Sequence, residues 1–69
     1  MKNNVRELRK KLGLRQEDVA NALGVTRQTI NATENDKYNP TLELAMKLAK
    51  LLNTTVEELF ILDNYKDRR

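Results

Sequence analysis

The stretch Arg15-Gln16-Glu17-Asp18-Val19-Ala20-Asn21-Ala22-Leu23-Gly24-Val25-Thr26-Arg27-Gln28-Thr29-Ile30-Asn31-Ala32 decides the reading of this chain. Two short helical patterns meet at Gly24. Val19, Ala20 and Leu23 make the apolar stripe of the first, and Val25, Ile30 and Thr33 serve the second. Gly24 suits a turn that requires positive φ, where a Cβ would clash with the backbone. Ala20, four residues earlier, is small where two helices must approach closely. Thr26 can cap the second helix by accepting from the N–H groups of its first turn. With Val25 and Ile30 turned inward, Arg27, Gln28, Asn31 and Ala32 are left on or near the outer face.

This spacing is that of a helix-turn-helix, in which the first helix crosses a phosphate backbone and the second enters the major groove. The outer residues have the chemistry for base edges. Arg pairs with guanine through two hydrogen bonds, Gln or Asn pairs likewise with adenine, and an Ala methyl can touch the thymine methyl. A glycine between two helices is weak evidence alone, because helical hairpins often have one. The bland alternative is a small helical bundle with a polar surface helix. The small residue, turn glycine, capping Thr and polar outer face together favour a DNA reader.

Outward from this motif, helix periodicity continues. Val5, Leu8 and Leu12 form a stripe that ends near Gly13. Leu42, Ala45, Leu48, Ala49 and Leu52 form another, opened by Thr41 after Pro40 and closed by Asn53 in a left-handed position. Thr55 and Glu58 have capping-box spacing ahead of Val56, Leu59 and Phe60. Turn formers fill the loop Asn35-Asp36-Lys37-Tyr38-Asn39. The tail Phe60-Ile61-Leu62-Asp63-Asn64-Tyr65 could extend the fifth helix, form a short strand or pack on another subunit, and Lys66-Asp67-Arg68-Arg69 is expected to fray. The expected fold is all-α with five helices, residues 1–62 forming the domain and 63–69 a C-terminal tail, with a terminal β-ribbon as one outcome for the tail.

Composition sets limits on function. Sixty-nine residues suffice for one small domain. The absence of cysteine and histidine removes disulfides, thiolate and imidazole metal sites, and His-based catalytic triads. No acid–base constellation converges, so neither an enzyme nor a cofactor or small-molecule effector is expected. No apolar run approaches the length of a membrane span, and Met1-Lys2-Asn3-Asn4 leads into a charged helix rather than a signal-peptide core, so a cytoplasmic protein is expected. The net charge of +3 is concentrated: residues 1–38 hold eight Lys/Arg and five Asp/Glu, whereas residues 39–69 hold five of each. The excess lies in the half that carries the motif, as phosphate binding would favour.

Leu12-Gly13-Leu14-Arg15-Gln16-Glu17-Asp18-Val19-Ala20, Leu23-Gly24-Val25-Thr26-Arg27-Gln28-Thr29-Ile30, Glu34-Asn35 and Lys37-Tyr38-Asn39-Pro40 resemble the Cro/C1-type helix-turn-helix family, also called the xenobiotic-response-element class. The resemblance covers about residues 3–62 and is greatest to small stand-alone prokaryotic repressors. It implies a lambda-repressor-like fold, with a recognition helix at about 26–34. Gln16 would bond a phosphate and brace a neighbouring recognition side chain. Arg27 and Gln28 would read bases, Ala32 would face them, and Thr26, Asn31, Asn35 and Lys37 would make phosphate or rim contacts. The chain departs from the family pattern at three positions. Arg15 replaces a capping Ser or Thr and could contact a phosphate instead, Thr33 replaces a large apolar residue, and Asp36 replaces Gly.

A lone module of this size reads few base pairs, so a homodimer on a two-fold DNA operator is expected, with half-sites about one helical turn apart. Candidate dimer residues are Leu44 and Leu51, a second strip on the fourth helix, together with Phe60, Ile61, Leu62 and Tyr65. The tail could instead fold back on its own core. The reading is a transcriptional regulator, expected to be a repressor. The rivals are a protein-interaction module such as an antitoxin, and a non-specific DNA binder.

Overall fold

The computed structural model describes residues 1–62. Within them the chain forms β1 (Lys2–Asn3), α1 (Val5–Lys11), α2 (Gln16–Leu23), α3 (Arg27–Glu34), α4 (Leu42–Leu51), α5 (Val56–Leu59) and β2 (Phe60–Ile61). The five expected helices are present, and the start of the tail is a strand. β2 pairs antiparallel with β1, Lys2 opposite Ile61 and Asn3 opposite Phe60. The N-terminal strand has no signal in a two-residue polar segment. It forms because the helices bring the two segments together.

Capping chemistry sets the helix boundaries. Thr26, Thr41 and Thr55 each accept at Oγ1 from the backbone N–H three residues on, at 3.2 Å. Gly13 and Gly24 are left-handed at φ 72° and 71°. Asn53 and Asp36 adopt the same region at φ 60° and 59°, as their short polar side chains allow. The first turn of α2 lacks the hydroxyl cap but is not bare. Asp18 Oδ2 reaches back to accept the backbone N–H of Arg15 at 2.8 Å, which supplies half of a capping box.

The core is Val5, Val19, Ala20, Ile30, Leu44, Leu48, Ala49, Leu52 and Leu59. Two stripes read from the sequence are rotated in the structure. On α4, Leu44, Leu48 and Leu52 form the buried seam, leaving Leu42 71% exposed. Ala45, Leu48, Ala49 and Leu52 are buried as expected, and Leu44 takes the inward place expected of Leu42. Leu44, one of the residues expected at a dimer contact, is therefore packed in the chain's own core. Leu51 and Phe60, also expected at a dimer contact, are half-buried against the same core. On α1, Leu12 is half exposed and Arg9 is buried. Thr33 is buried where the family has a large apolar residue, and its hydroxyl donates to the Thr29 carbonyl at 2.8 Å.

Arg9 is buried with a matching anion. Its Nε donates to Glu34 Oε2 at 2.6 Å and its Nη2 to Glu34 Oε1 at 3.1 Å. Its Nη1 donates to the Leu14 carbonyl at 2.9 Å. The Glu34 side chain is fully inaccessible to solvent. Burial raises its pKa, but the Arg9 hydrogen bonds, with help from Gln16, the Arg9 charge and Arg6, outweigh burial and hold it below the ordinary carboxylate value. Among the described residues, no buried side-chain nitrogen or oxygen lacks a hydrogen-bond partner.

Breaking such a pair from one side leaves an uncompensated buried charge, at a cost of about 3–5 kcal/mol. A domain of this size holds only about 3–5 kcal/mol in its core. Arg9→Met should therefore unfold the chain or nearly so in urea titrations, whereas Arg9→Met with Glu34→Leu should recover most of the stability. Because the Glu34 pKa is depressed by folding, its contribution is fully present above the ordinary carboxylate value of 4.5. That contribution is lost as pH falls through the folded-state value. The double variant should accordingly lose less stability than the wild type on acidification, and an unchanged acid profile would remove Glu34 from this role.

Candidate nucleic-acid interface

The turn between α2 and α3 presents α3. Gly24 ends α2 in left-handed geometry, and Val25 N–H donates to the Ala20 carbonyl at 3.0 Å. No other atom would crowd a Cβ at Gly24, so the requirement for glycine there is conformational. Val25 is half-buried and Ile30 fully buried, anchoring the inner face of α3. Arg27, Gln28 and Asn31 are exposed on the other side, with Ala32 half-exposed beside them. Gln28, Asn31, Ala32, Asn35 and Lys37 line one open depression. Four of these residues lie on α3 or its cap, and Lys37 comes from the following loop. The structure thus brings together most of the residues expected to read bases.

Gln16 connects the two helices. Its Nε2 donates to Glu34 Oε1 at 3.1 Å. Its Oε1 accepts from Arg27 Nε at 3.4 Å and from Asn31 Nδ2 at 3.3 Å. Gln16 thus holds Arg27 and Asn31 and itself rests on the buried carboxylate. Gln28 makes no side-chain hydrogen bond among the described residues, so its amide is fully available to a ligand. Lys37 likewise has no ion-pair partner there.

The remaining expected contacts surround this strip. Thr26 is exposed, with its hydroxyl occupied as the cap of α3 and 3.0 Å from the Thr29 hydroxyl. Arg15 stands at the start of α2, its guanidinium bonded by Nε and Nη2 to Asp18 at 3.3 Å. That hydrogen bond, above all, lowers the Asp18 pKa and raises that of Arg15. Asn35 closes α3 and directs its amide at Asn31, Nδ2 donating to the carbonyl oxygen and Oδ1 of Asn31, both at 2.9 Å. Asp36 does not face outward unpaired, because its Oδ1 accepts from Asn3 Nδ2 at 2.8 Å. The same Asn3 amide bonds the Thr33 carbonyl at 2.9 Å, stapling the N-terminal segment to the end of α3.

Of the acids near this surface, Glu34 is paired with Arg9 and Arg6 and Asp18 with Arg15, so each cancels a cation, while Asp36, bonded to the neutral Asn3 amide, and exposed Glu17 keep their charge. Arg27 and Lys37 remain as cations at the rim of the α3 strip. This arrangement suits a polyanion with readable edges.

Sequence reasoning missed Arg6, Arg9, Glu34 and Asn3. A signal existed for two of them: Arg9 lies four residues after Val5 and Glu34 four after Ile30, so each falls on an inward face. Opposite charges at two buried positions imply a pair. No sequence pattern marks the partners of Arg6 and Asn3, which depend on the packing of α1 against α3.

Comparisons with known proteins agree with the geometry. A helix-turn-helix family model matches residues 5–59. An HTH-type transcriptional regulator of Methanothermobacter thermautotrophicus is 50% identical over 64 residues, covering 91% of this chain and 93% of the relative. One from Archaeoglobus fulgidus is 47% identical over 64 residues, covering 93% and 91%. The cryptic phage CTXphi transcriptional repressor RstR of Vibrio cholerae is 40% identical over 57 residues, covering 83% of this chain and 51% of the repressor. Among the described residues, no helix is long and apolar enough to cross a membrane. The chain belongs to the Cro/C1-type helix-turn-helix family of DNA-binding transcriptional regulators.

Proposed function

We propose that this chain is a transcriptional repressor that binds a palindromic operator as a homodimer, with α3 in the major groove. The observation that carries the reading is the outer strip of α3. An unengaged Gln28 amide stands beside Arg27, which Gln16 braces, and Ala32 and Lys37 border the same depression. Arg27 and Gln28 read base edges and Ala32 meets a thymine methyl. Asn31 belongs to the same base-facing strip. Lys37, Arg15, Gln16, Thr26 and Asn35 lie at the phosphate rim. The repressor role is supported by one relative whose name carries it.

The dimer reading rests on module size and on exposed apolar surface. Ile61 and Leu62 are 44% and 64% exposed, in keeping with a role at the contact. Tyr65 lies outside the described residues. Leu42 and Met46, which were not expected there, add to this surface. Two adjoining depressions share Leu42, one lined by Met46 and the other by Pro40, Phe60 and Leu62.

Selection of bound fragments from random DNA should return a palindrome with half-sites about one helical turn apart. On that DNA, Gln28→Ala should weaken operator binding by about 1–3 kcal/mol while leaving random-DNA binding nearly unchanged. Equal losses on both would remove Gln28 as a reader. Lys37→Ala should reduce the slope of log affinity against log salt by about one unit with sequence preference intact. Sedimentation at micromolar concentration should show a dimer when operator is present, and a complex with a single protomer would overturn the two-fold reading.

A further inference from the structure

Five side chains beneath and beside the recognition strip close a ring of hydrogen bonds. Arg6 Nε donates to Glu34 Oε1 at 3.3 Å. Gln16 Nε2 donates to the same oxygen at 3.1 Å. Asn31 Nδ2 donates to Gln16 Oε1 at 3.3 Å, and Asn35 Nδ2 to Asn31 Oδ1 at 2.9 Å. Arg6 Nη2 completes the circuit by donating to Asn35 Oδ1 at 2.9 Å. The ring joins α1, α2 and α3, and its one charged acceptor is held by Arg9 from below.

We propose that Arg6 is a positioning residue for DNA recognition: by closing this ring it fixes the orientation of the Asn31 and Asn35 amides on the groove-facing side of α3. The inference rests on the operator-binding reading above. Only a fork can reach both ends of the circuit. The guanidinium offers Nε to the carboxylate and Nη2 to the Asn35 amide in one plane, whereas an ammonium on a flexible stem is a point charge. Each amide is also polarised by its neighbour, so a break at Arg6 propagates around the ring.

The consequence for Asn31 is specific. Its Oδ1 accepts from Asn35 and one Nδ2 proton goes to Gln16, which leaves one amide proton and one Oδ1 lone pair for a ligand. An Asn fixed in this way offers that donor and that acceptor in one set orientation instead of two. Asn35 has both amide protons directed at Asn31 and therefore serves chiefly to hold Asn31 in place. Without Arg6, Asn35 Oδ1 loses its charged donor and the amide is free to turn over, releasing Asn31 with it.

The test uses Arg6→Met and Arg6→Lys in the full chain, with two readouts. In the free protein, the side-chain amide resonances of Gln16, Asn31 and Asn35 should shift in both variants, with urea midpoints close to wild type because Arg6 is half exposed. In binding assays, both variants should lose about fivefold to tenfold in operator affinity relative to random DNA, the size of one oriented hydrogen bond, with no change in salt slope. Resonances that stay in place would overturn the ring. A direct phosphate contact by Arg6 predicts a different pattern: Arg6→Met weakens operator and random DNA alike, the salt slope falls by about one unit, and Arg6→Lys restores binding. That result would also overturn the proposal. If the wild-type chain itself selects no DNA sequence, the operator reading fails and the recognition role of Arg6 fails with it, while the amide resonances still decide whether the ring exists.

Discussion

The buried pair of Arg9 and Glu34 is the constraint on which the rest of the structure depends. Burying a carboxylate and a guanidinium in a domain this small is expensive unless every donor and acceptor finds a partner. Here the geometry is two-pronged, the third Arg9 nitrogen is taken by the Leu14 carbonyl, and the spare capacity of Glu34 is used by Gln16 and Arg6. One side chain from α3 thereby fixes the end of α1, the loop that enters α2 and the first residue of α2. The apolar core holds the helices together without specifying their register as tightly. The charged pair, with its directional hydrogen bonds, sets where α3 stands relative to α1, and Gln16 ties α2 to the same carboxylate.

This has a direct effect on the exposed face of α3. A carboxylate within one helical turn of that face would, if exposed and unpaired, repel a polyanion. Buried and neutralised, Glu34 instead acts as the root of a polar network that emerges at Gln16, Arg27 and Asn31. The same interaction that orders the core also orients the outer face. Of Arg27, Gln28 and Asn31, only Gln28 makes no side-chain hydrogen bond among the described residues, so its amide is free while its neighbours are held.

Much of this was legible in the sequence. Caps at Thr26, Thr41 and Thr55 and left-handed residues at Gly24 and Asn53 follow from local backbone chemistry, which depends little on distant contacts. The turn between α2 and α3 and the outward side of α3 follow from the same signals. What escaped the sequence needed tertiary information. Leu42 and Leu44 both fit an apolar stripe, and only packing against α2 and α5 decides which faces inward. Arg9 looks like a surface cation until Glu34 is placed opposite it. The strand at Lys2–Asn3 has no apolar alternation and exists only through its partner. At the start of α2 the capping hydroxyl is absent because Arg15 stands there, and Asp18 supplies the return bond.

The pairing of Lys2 with Ile61 joins segments separated by nearly the whole described chain. Closing so long a loop is entropically unfavourable until the helices have already brought its ends together. Closing it therefore costs least once the helices have packed. Asn3, which bonds the last turn of α3, is part of that ribbon. Its neighbour Asn4 donates its backbone N–H to the Leu59 carbonyl at 2.9 Å, so the start of the chain ties the far end of α3 to the last helix.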